Sequence, residues 1–271
     1  MIVRVLGSGS KGNAVLLEAG GTRVLIDAGF SPRGMQKRLE VMEVTPDSIE
    51  AVIITHEHTD HVGGVAACAK RWGWRVLASA GTRTGSASLA RASVETVSTS
   101  ARFTIGQLDL TTVGTSHDAN EPMAVFATSR ETGARTGIVY DLGILTEALM
   151  RALRGVDILM IEANHDVAML RNGPYPPSLR RRIASRYGHL SNDDAAAAAR
   201  RCAHRNLSHV VLAHLSENNN RPDIATEAVR AALEGTDFTG DVTAASQGRV
   251  TGPFTPKGMP YRGAAQLQLA I

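Results

Sequence analysis

The sequence predicts an α/β protein in which two mixed β-sheets pack face to face with helices outside. Short strand runs joined by tight turns fill the first quarter and return in the middle, with helix–strand units between and after them. That order suits two packed sheets better than one doubly wound parallel sheet. The 271 residues, 43% hydrophobic and 20% charged, also suffice for a large core of ordinary globular proportions.

Ile2–Leu6 is a strand leading into the turn Gly7–Asn13. Ala14–Glu18 and Arg23–Ile26 form a hairpin across Gly20-Gly21. Ser31-Pro32 places a cap before a proline at the first helical position, so a helix runs to Leu39. Ala51–Ile54 is a buried strand, Val65–Trp72 an apolar helix and Arg75–Ala78 another strand. Phe103–Ile105, Leu108–Val113, Met123–Thr128 and Thr136–Tyr140 are further strands, the last two joined by a polar turn. A helix over Thr146–Arg154 and a strand over Val156–Ile161 follow. The last third is more helical, with helices over Ser191–Cys202 and Asp223–Leu233 around the strand Val210–Ala213. Gly173–Pro177 reads as a rigid connector. With no repeat, low-complexity tract or long linker, one domain over residues 1–271 is expected.

Composition excludes some classes. The N-terminal segment turns polar too soon for a signal peptide, and no apolar run approaches a membrane span. Cys68 and Cys202 alone make no disulfide framework, so a reducing cytoplasm is expected. The net charge of +3 does not by itself indicate nucleic acid. Its distribution says more: eight arginines lie between Arg171 and Arg205, with Asp193 and Asp194 the only acids there. Such a cluster either neutralises phosphates or is a solvated helix face.

Chemistry concentrates in Thr55–His61. His56, His58, Asp60 and His61 follow the pattern H-x-H-x-D-H, on a loop between the strand Ala51–Ile54 and the helix start Val62-Gly63-Gly64. His56 and His58, two apart, can share one metal; Asp60 and His61 are offset toward a second. Imidazole with carboxylate suits zinc, manganese or iron. Further ligands are available at strand ends: His117, Asp141 and His214.

These residues resemble the metallo-β-lactamase-fold hydrolases, an αββα sandwich, over nearly the whole chain. The resemblance implies that His56, His58 and His117 bind one metal, Asp60, His61 and His214 the other, with Asp141 bridging. Asp27 in Leu25–Gly29 matches the first motif of that fold and would hold the ligand loop without ligating. Asp141 stands where the β-lactamases themselves carry Cys or Ser, which points away from β-lactam hydrolysis. No β-CASP-type insertion separates Asp141 from His214. The turn Leu6–Asn13 (S-G-S-x-G-N), the segment Ile161–Asp166 and the pair Gly188–Asn192 and Ala213–Asn220 together resemble the YycJ/WalJ-like branch. Its members act on DNA as exonucleases, 5′ to 3′.

The expected function is therefore a dinuclear-metal phosphodiesterase, a DNA exonuclease working through a hydroxide bridging the metals, with Asp60 orienting it. Glu162 and His189 resemble the acid–imidazole relay of tRNase Z and would serve the leaving oxygen. Ser8, Ser10 and Asn13 are candidate phosphate donors in an anion cradle, although a tight β-turn explains the same glycines. His165 is a candidate substrate contact, and Arg180, Arg181 and Arg182 would track the strand. The rival is a small-molecule metallohydrolase: a lactonase, thioesterase, cyclic-nucleotide phosphodiesterase or promiscuous β-lactamase. The 4% aromatic content, poor in rings for base stacking, leans that way.

Overall fold

The computed structural model describes residues 1–258. Its first half comprises β1 (Ile2–Gly7), β2 (Ala14–Ala19), β3 (Thr22–Ile26), α1 (Pro32–Val41), β4 (Ala51–Ile54), α2 (Thr59–Val62), α3 (Val65–Trp72), β5 (Arg75–Ala78), α4 (Ala80–Gly85) and β6 (Val94–Thr96). The second comprises β7 (Arg102–Ile105), β8 (Leu108–Gly114), β9 (Met123–Ser129), β10 (Arg135–Val139), α5 (Glu147–Ala152), β11 (Ile158–Glu162), α6 (Val167–Asn172), α7 (Pro177–Ile183), α8 (Asn192–Cys202), β12 (His209–Ala213), α9 (Pro222–Leu233), β13 (Asp241–Ala244) and β14 (Thr251–Phe254).

The strands form two seven-stranded sheets, β14-β1-β2-β3-β4-β5-β6 and β13-β12-β11-β10-β9-β8-β7. Each follows one plan: an antiparallel meander, β1–β3 or β7–β10, then parallel strands, β4–β6 or β11–β13. Three buried clusters define the layers. Val3, Val15, Ile53, Val125, Met160 and Val211 meet between the sheets. Met35, Leu39 and Cys68 cover the first sheet from α1 and α3. Leu149, Ala195 and Val229 cover the second from α5, α8 and α9. The expected sandwich of two mixed sheets with helices outside is therefore observed.

The caps behave as their chemistry requires. Ser31 accepts the Gly34 amide at the start of α1, Thr146 that of Leu149 and Ser191 that of Asp194. Besides the short α2, three helices carried no sequence expectation. α4 reads Ala-Gly-Thr-Arg-Thr-Gly, in which the two Gly and two Thr are poor helix formers. α6 is one and a half turns long, and α7 buries none of its residues, so neither shows an apolar stripe. The Gly173–Pro177 connector lies between α6 and the start of α7, and Arg180, Arg181 and Arg182 beyond it lie on α7.

Candidate metal centre

Both sheets bring the carboxyl ends of their parallel strands to one edge, where ligands of open α/β sheets usually bind. Asp27 follows β3, His56 and His58 follow β4, Asp141 follows β10, Glu162 ends β11 and His214 follows β12. His117 comes from the segment after β8. Asp60 and His61 lie on the short helix α2 rather than on the expected loop. Asp27, Asp141 and His214 leave their strands in left-handed backbone, with φ of 63°, 54° and 53°. L-residues adopt that region at a cost, and it concentrates at functional sites.

Three imidazoles converge first. His58 Nδ1 lies 3.1 Å from His56 Nε2 and 3.3 Å from His117 Nε2. Tetrahedral ligation at about 2.0–2.1 Å would put neighbouring donor nitrogens roughly 3.3 Å apart. The outer nitrogens fix the tautomers. His117 Nδ1 donates to Gly188 O at 3.0 Å, which leaves Nε2 a lone pair. The Thr55 hydroxyl gives its proton to Asp27 Oδ2 at 2.8 Å, so it accepts from His56 Nδ1 at 3.1 Å. Burial first, then neighbouring imidazoles, hold His56 well below the ordinary histidine pKa; burial lowers that of His117. Both shifts favour the neutral imidazole, the form that binds a metal.

A second set stands beside the first. His61 Nε2 lies 3.3 Å from Asp60 Oδ2 and 3.1 Å from Asp141 Oδ2, and His214 Nε2 lies 3.4 Å from Asp60 Oδ2. Asp141 reaches both sets, since its Oδ1 is 4.0 Å from His117 Nε2. Its Oδ2 is buried and receives no hydrogen bond, an uncommon state for a carboxylate oxygen unless a cation meets it. His56, His58 and His117, and likewise Asp60, His61 and His214, each offer donor atoms within 4.8 Å of one another. The donor chemistry fits divalent metal.

Asp27 is the anchor beneath. Fully buried, it accepts from Thr55 N and Oγ1 at 2.8 Å each, Tyr140 Oη at 2.7 Å and His61 Nδ1 at 2.7 Å. Burial opposes charge on His61, but Asp27, Asp141 and Asp60 outweigh it and push its pKa well above the usual value.

Glu162 plays a parallel role opposite. It is fully buried and accepts from His189 Nδ1 at 2.6 Å and His214 Nδ1 at 3.1 Å through Oε1. Oε2 accepts the amides of Leu142 at 3.0 Å and Leu190 at 3.3 Å. Burial opposes the charge of His214, yet Asp141, Asp60 and Glu162 push its pKa up to about 10. Burial likewise opposes His189, and Glu162 with Asp141 raises it. Glu162 thus orients the expected relay histidine and also His214.

Comparison with known proteins settles the family. Residues 22–215 match the model of the beta-lactamase superfamily domain. The chain belongs to the beta-lactamase superfamily. Within the superfamily it is 32% identical over 242 residues to exodeoxyribonuclease YycJ of Bacillus anthracis, covering 86% of this chain and 89% of that one. It is 33% identical over 229 residues to exodeoxyribonuclease WalJ of Streptococcus pneumoniae, covering 82% and 84%. The metallo-beta-lactamase fold protein YhfI from Bacillus subtilis superposes with a TM-score of 0.70 at 17% identity, over 92% of this chain and 98% of that one.

On this superfamily scaffold the expected substrate residues divide. Ser10 is exposed and lines a cavity of about 190 Å³ over the ligands, together with Asp118, His189 and His214. Ser8 and Asn13 are buried and already bonded, contrary to a phosphate-donor role. Ser8 Oγ accepts the His214 amide at 2.8 Å and donates to Asn13 Oδ1 at 3.2 Å. Asn13 Nδ2 donates to Asp60 Oδ2 at 3.1 Å. Nor is the glycine turn an open anion cradle. The amides of Ser8, Gly9, Lys11, Gly12 and Asn13 are all engaged within the protein. Its Gly12 is required because a Cβ there would sit 2.5 Å from the Phe30 ring.

His165 is buried and lines a larger cavity of about 520 Å³ with Arg180 and Arg181, while Arg182 faces the smaller one and pairs with Asp118. Thr55, Tyr140 and Asp118 were not expected. Each adjoins a ligand in sequence, which is the one signal that marks them.

Proposed function

We propose that this chain is a metal-dependent phosphodiester hydrolase that removes nucleotides from DNA, working 5′ to 3′. The observation that carries the reading is His189. It is held by a buried carboxylate next to two sets of metal donors, yet its side chain remains 21% exposed on the wall of the cleft. DNA as substrate is supported by the names of the two relatives matched over most of both chains, and by the arginine-bearing α7 beside the centre.

His56, His58 and His117 would hold one divalent cation and Asp60, His61 and His214 a second, with Asp141 between; zinc and manganese suit the donors, and iron also. When bound, the cations supply Lewis acidity toward water and a phosphoryl oxygen. Asp60, fixed by Asn13, 3.4 Å from His214 and 20% exposed in its side chain, would orient the attacking water. His189 is kept protonated by Glu162 and gives its proton to the leaving 3′ oxygen from Nε2. Asp27 and Glu162, each accepting from imidazole Nδ1 atoms, hold those imidazoles in one tautomer. The basic face of α7 attracts the phosphodiester chain. Among the described residues no helix is long and apolar enough to cross a membrane, and the two buried free cysteines suit the cytoplasm.

A leaving-group experiment tests the acid role. His189→Ala should slow DNA cleavage by roughly 10²–10⁴-fold. It should slow hydrolysis of a p-nitrophenyl phosphodiester far less, because that phenolate leaves without a proton. Equal losses on both substrates would remove His189 from the leaving-group role.

A further inference from the structure

The larger cavity takes no part in the reaction derived so far. It holds about 520 Å³, within the range of small-molecule sites. α7 is the wall between it and the smaller cavity over the metal ligands. Pro177, Arg180 and Arg181 line the larger cavity; Leu179, Arg182 and Ile183 line the smaller. The i, i+3, i+4 spacing on each side divides one helix between two spaces. Among the described residues His189 alone lines both.

The larger cavity is chemically two-sided. Val167, Leu170 and Pro177 supply an apolar wall, on which Val167 is 51% exposed. Arg171 and Arg181 supply positive charge, and neither side chain has an acidic partner among the described residues, unlike Arg182. His165 is 3% exposed and its Nδ1 has no hydrogen-bond partner, while its ring lies on the cavity wall. A buried imidazole left with an unmet polar atom is uncommon in a folded protein. Asp194 lies on the wall with Ser191, whose hydroxyl it accepts at 2.7 Å, so an anion is directed to the arginines instead.

We propose that this cavity binds the 5′-terminal nucleotide of the strand being degraded, its nucleoside against the Val167–Leu170 wall and its 5′-phosphate on Arg171 and Arg181. The inference rests on the nuclease reading above. In the cleavage step a water oxygen bonds to phosphorus, its proton passing to solvent, and the bond from phosphorus to the 3′ oxygen breaks. That oxygen keeps the electron pair and takes the His189 proton. It belongs to the terminal nucleotide, which must therefore lie on the His189 side of the scissile phosphate, where the cavity is. A site for one nucleotide and its terminal phosphate makes the product a nucleoside 5′-monophosphate and favours phosphorylated 5′ ends.

The test is calorimetric binding of 2′-deoxyadenosine 5′-monophosphate and of deoxyadenosine to the metal-loaded full chain, in wild type, Arg181→Ala and Val167→Glu. It is paired with degradation rates on 5′-phosphate and 5′-hydroxyl ends. The monophosphate should bind wild type at least roughly tenfold tighter than the nucleoside. Arg181→Ala should remove most of that difference, Val167→Glu should abolish binding, and the rate preference for 5′-phosphate should fall in Arg181→Ala. Binding unchanged by both variants would put the phosphate on the metal ligands and overturn the proposal. DNA cleavage without monophosphate binding overturns the cavity assignment alone. Monophosphate binding with no DNA cleavage overturns the nuclease reading and leaves the cavity a mononucleotide site.

Discussion

Replacing Asp27 by Asn changes one atom and should disable the candidate metal ligand His61, whose Nδ1 Asp27 holds at 2.7 Å. Asn tolerates the left-handed backbone at φ 63°, so the main chain can stay in place. The backbone N–H of Thr55 donates to Oδ1 at 2.8 Å and cannot reverse. The amide oxygen must therefore take the Oδ1 position, and the NH₂ falls at Oδ2, facing His61 Nδ1 at 2.7 Å. Two donors cannot share that contact. The His61 proton moves to Nε2, the atom that lies 3.1 Å from Asp141 and 3.3 Å from Asp60. Losing an outer partner of a metal-bound histidine costs about 10–100-fold in metal affinity, or about 1.4–2.7 kcal/mol. Chelator competition with elemental analysis measures it directly. Asp27→Asn should lose one metal per chain at chelator concentrations that leave wild type loaded, with the His56–His58–His117 set retaining its own. Unchanged affinity and stoichiometry in a folded Asp27→Asn protein would refute the tautomer argument.

Other expected outcomes follow from the same geometry. Glu162→Gln removes the charge that raises the His189 pKa, so the alkaline limb of the pH–rate profile should move to lower pH; an unmoved limb would separate the two residues. Arg181→Ala should reduce the slope of log affinity for DNA against log salt by about 0.7–0.9 per lost phosphate contact. Arg182→Ala should change it less, because Asp118 already neutralises Arg182; equal slopes in both variants would count against α7 as the DNA contact. Burial pushes the Cys68 thiol up to about 12 and the Cys202 thiol to about 11. The reactive thiolate is therefore scarce below pH of about 10. A thiol-reactive dye should label neither cysteine in folded protein at pH 8 and both after unfolding; rapid native labelling would contradict their burial.

The candidate donors were legible where they are neighbours in sequence or sit at strand ends. His56, His58, Asp60 and His61 lie within six residues, and His117, Asp141 and His214 each follow a β-branched run. What holds those ligands was not legible, because the contacts are distant in sequence. Tyr140 reaches Asp27 across 113 residues, and Ser8 reaches His214 across 206. The glycine turn misled for the same reason. Its pattern reads as an anion cradle locally, but its amides and Asn13 are occupied by Asp60, Ser246 and Gln247 from elsewhere in the chain. α7 escaped because a helix with no buried residue leaves no apolar period, although its arginines were recognised.

We propose these histidines and aspartates as the centre of a metal-dependent DNA exonuclease. The most direct test is cleavage of end-labelled, 5′-phosphorylated duplex DNA by manganese-loaded wild type beside Asp60→Ala. Wild type should shorten the DNA progressively from the 5′ end and Asp60→Ala should not, because that substitution removes both a donor and the group that orients water. Intact DNA with loaded wild type, or equal shortening by the two proteins, would contradict the proposal.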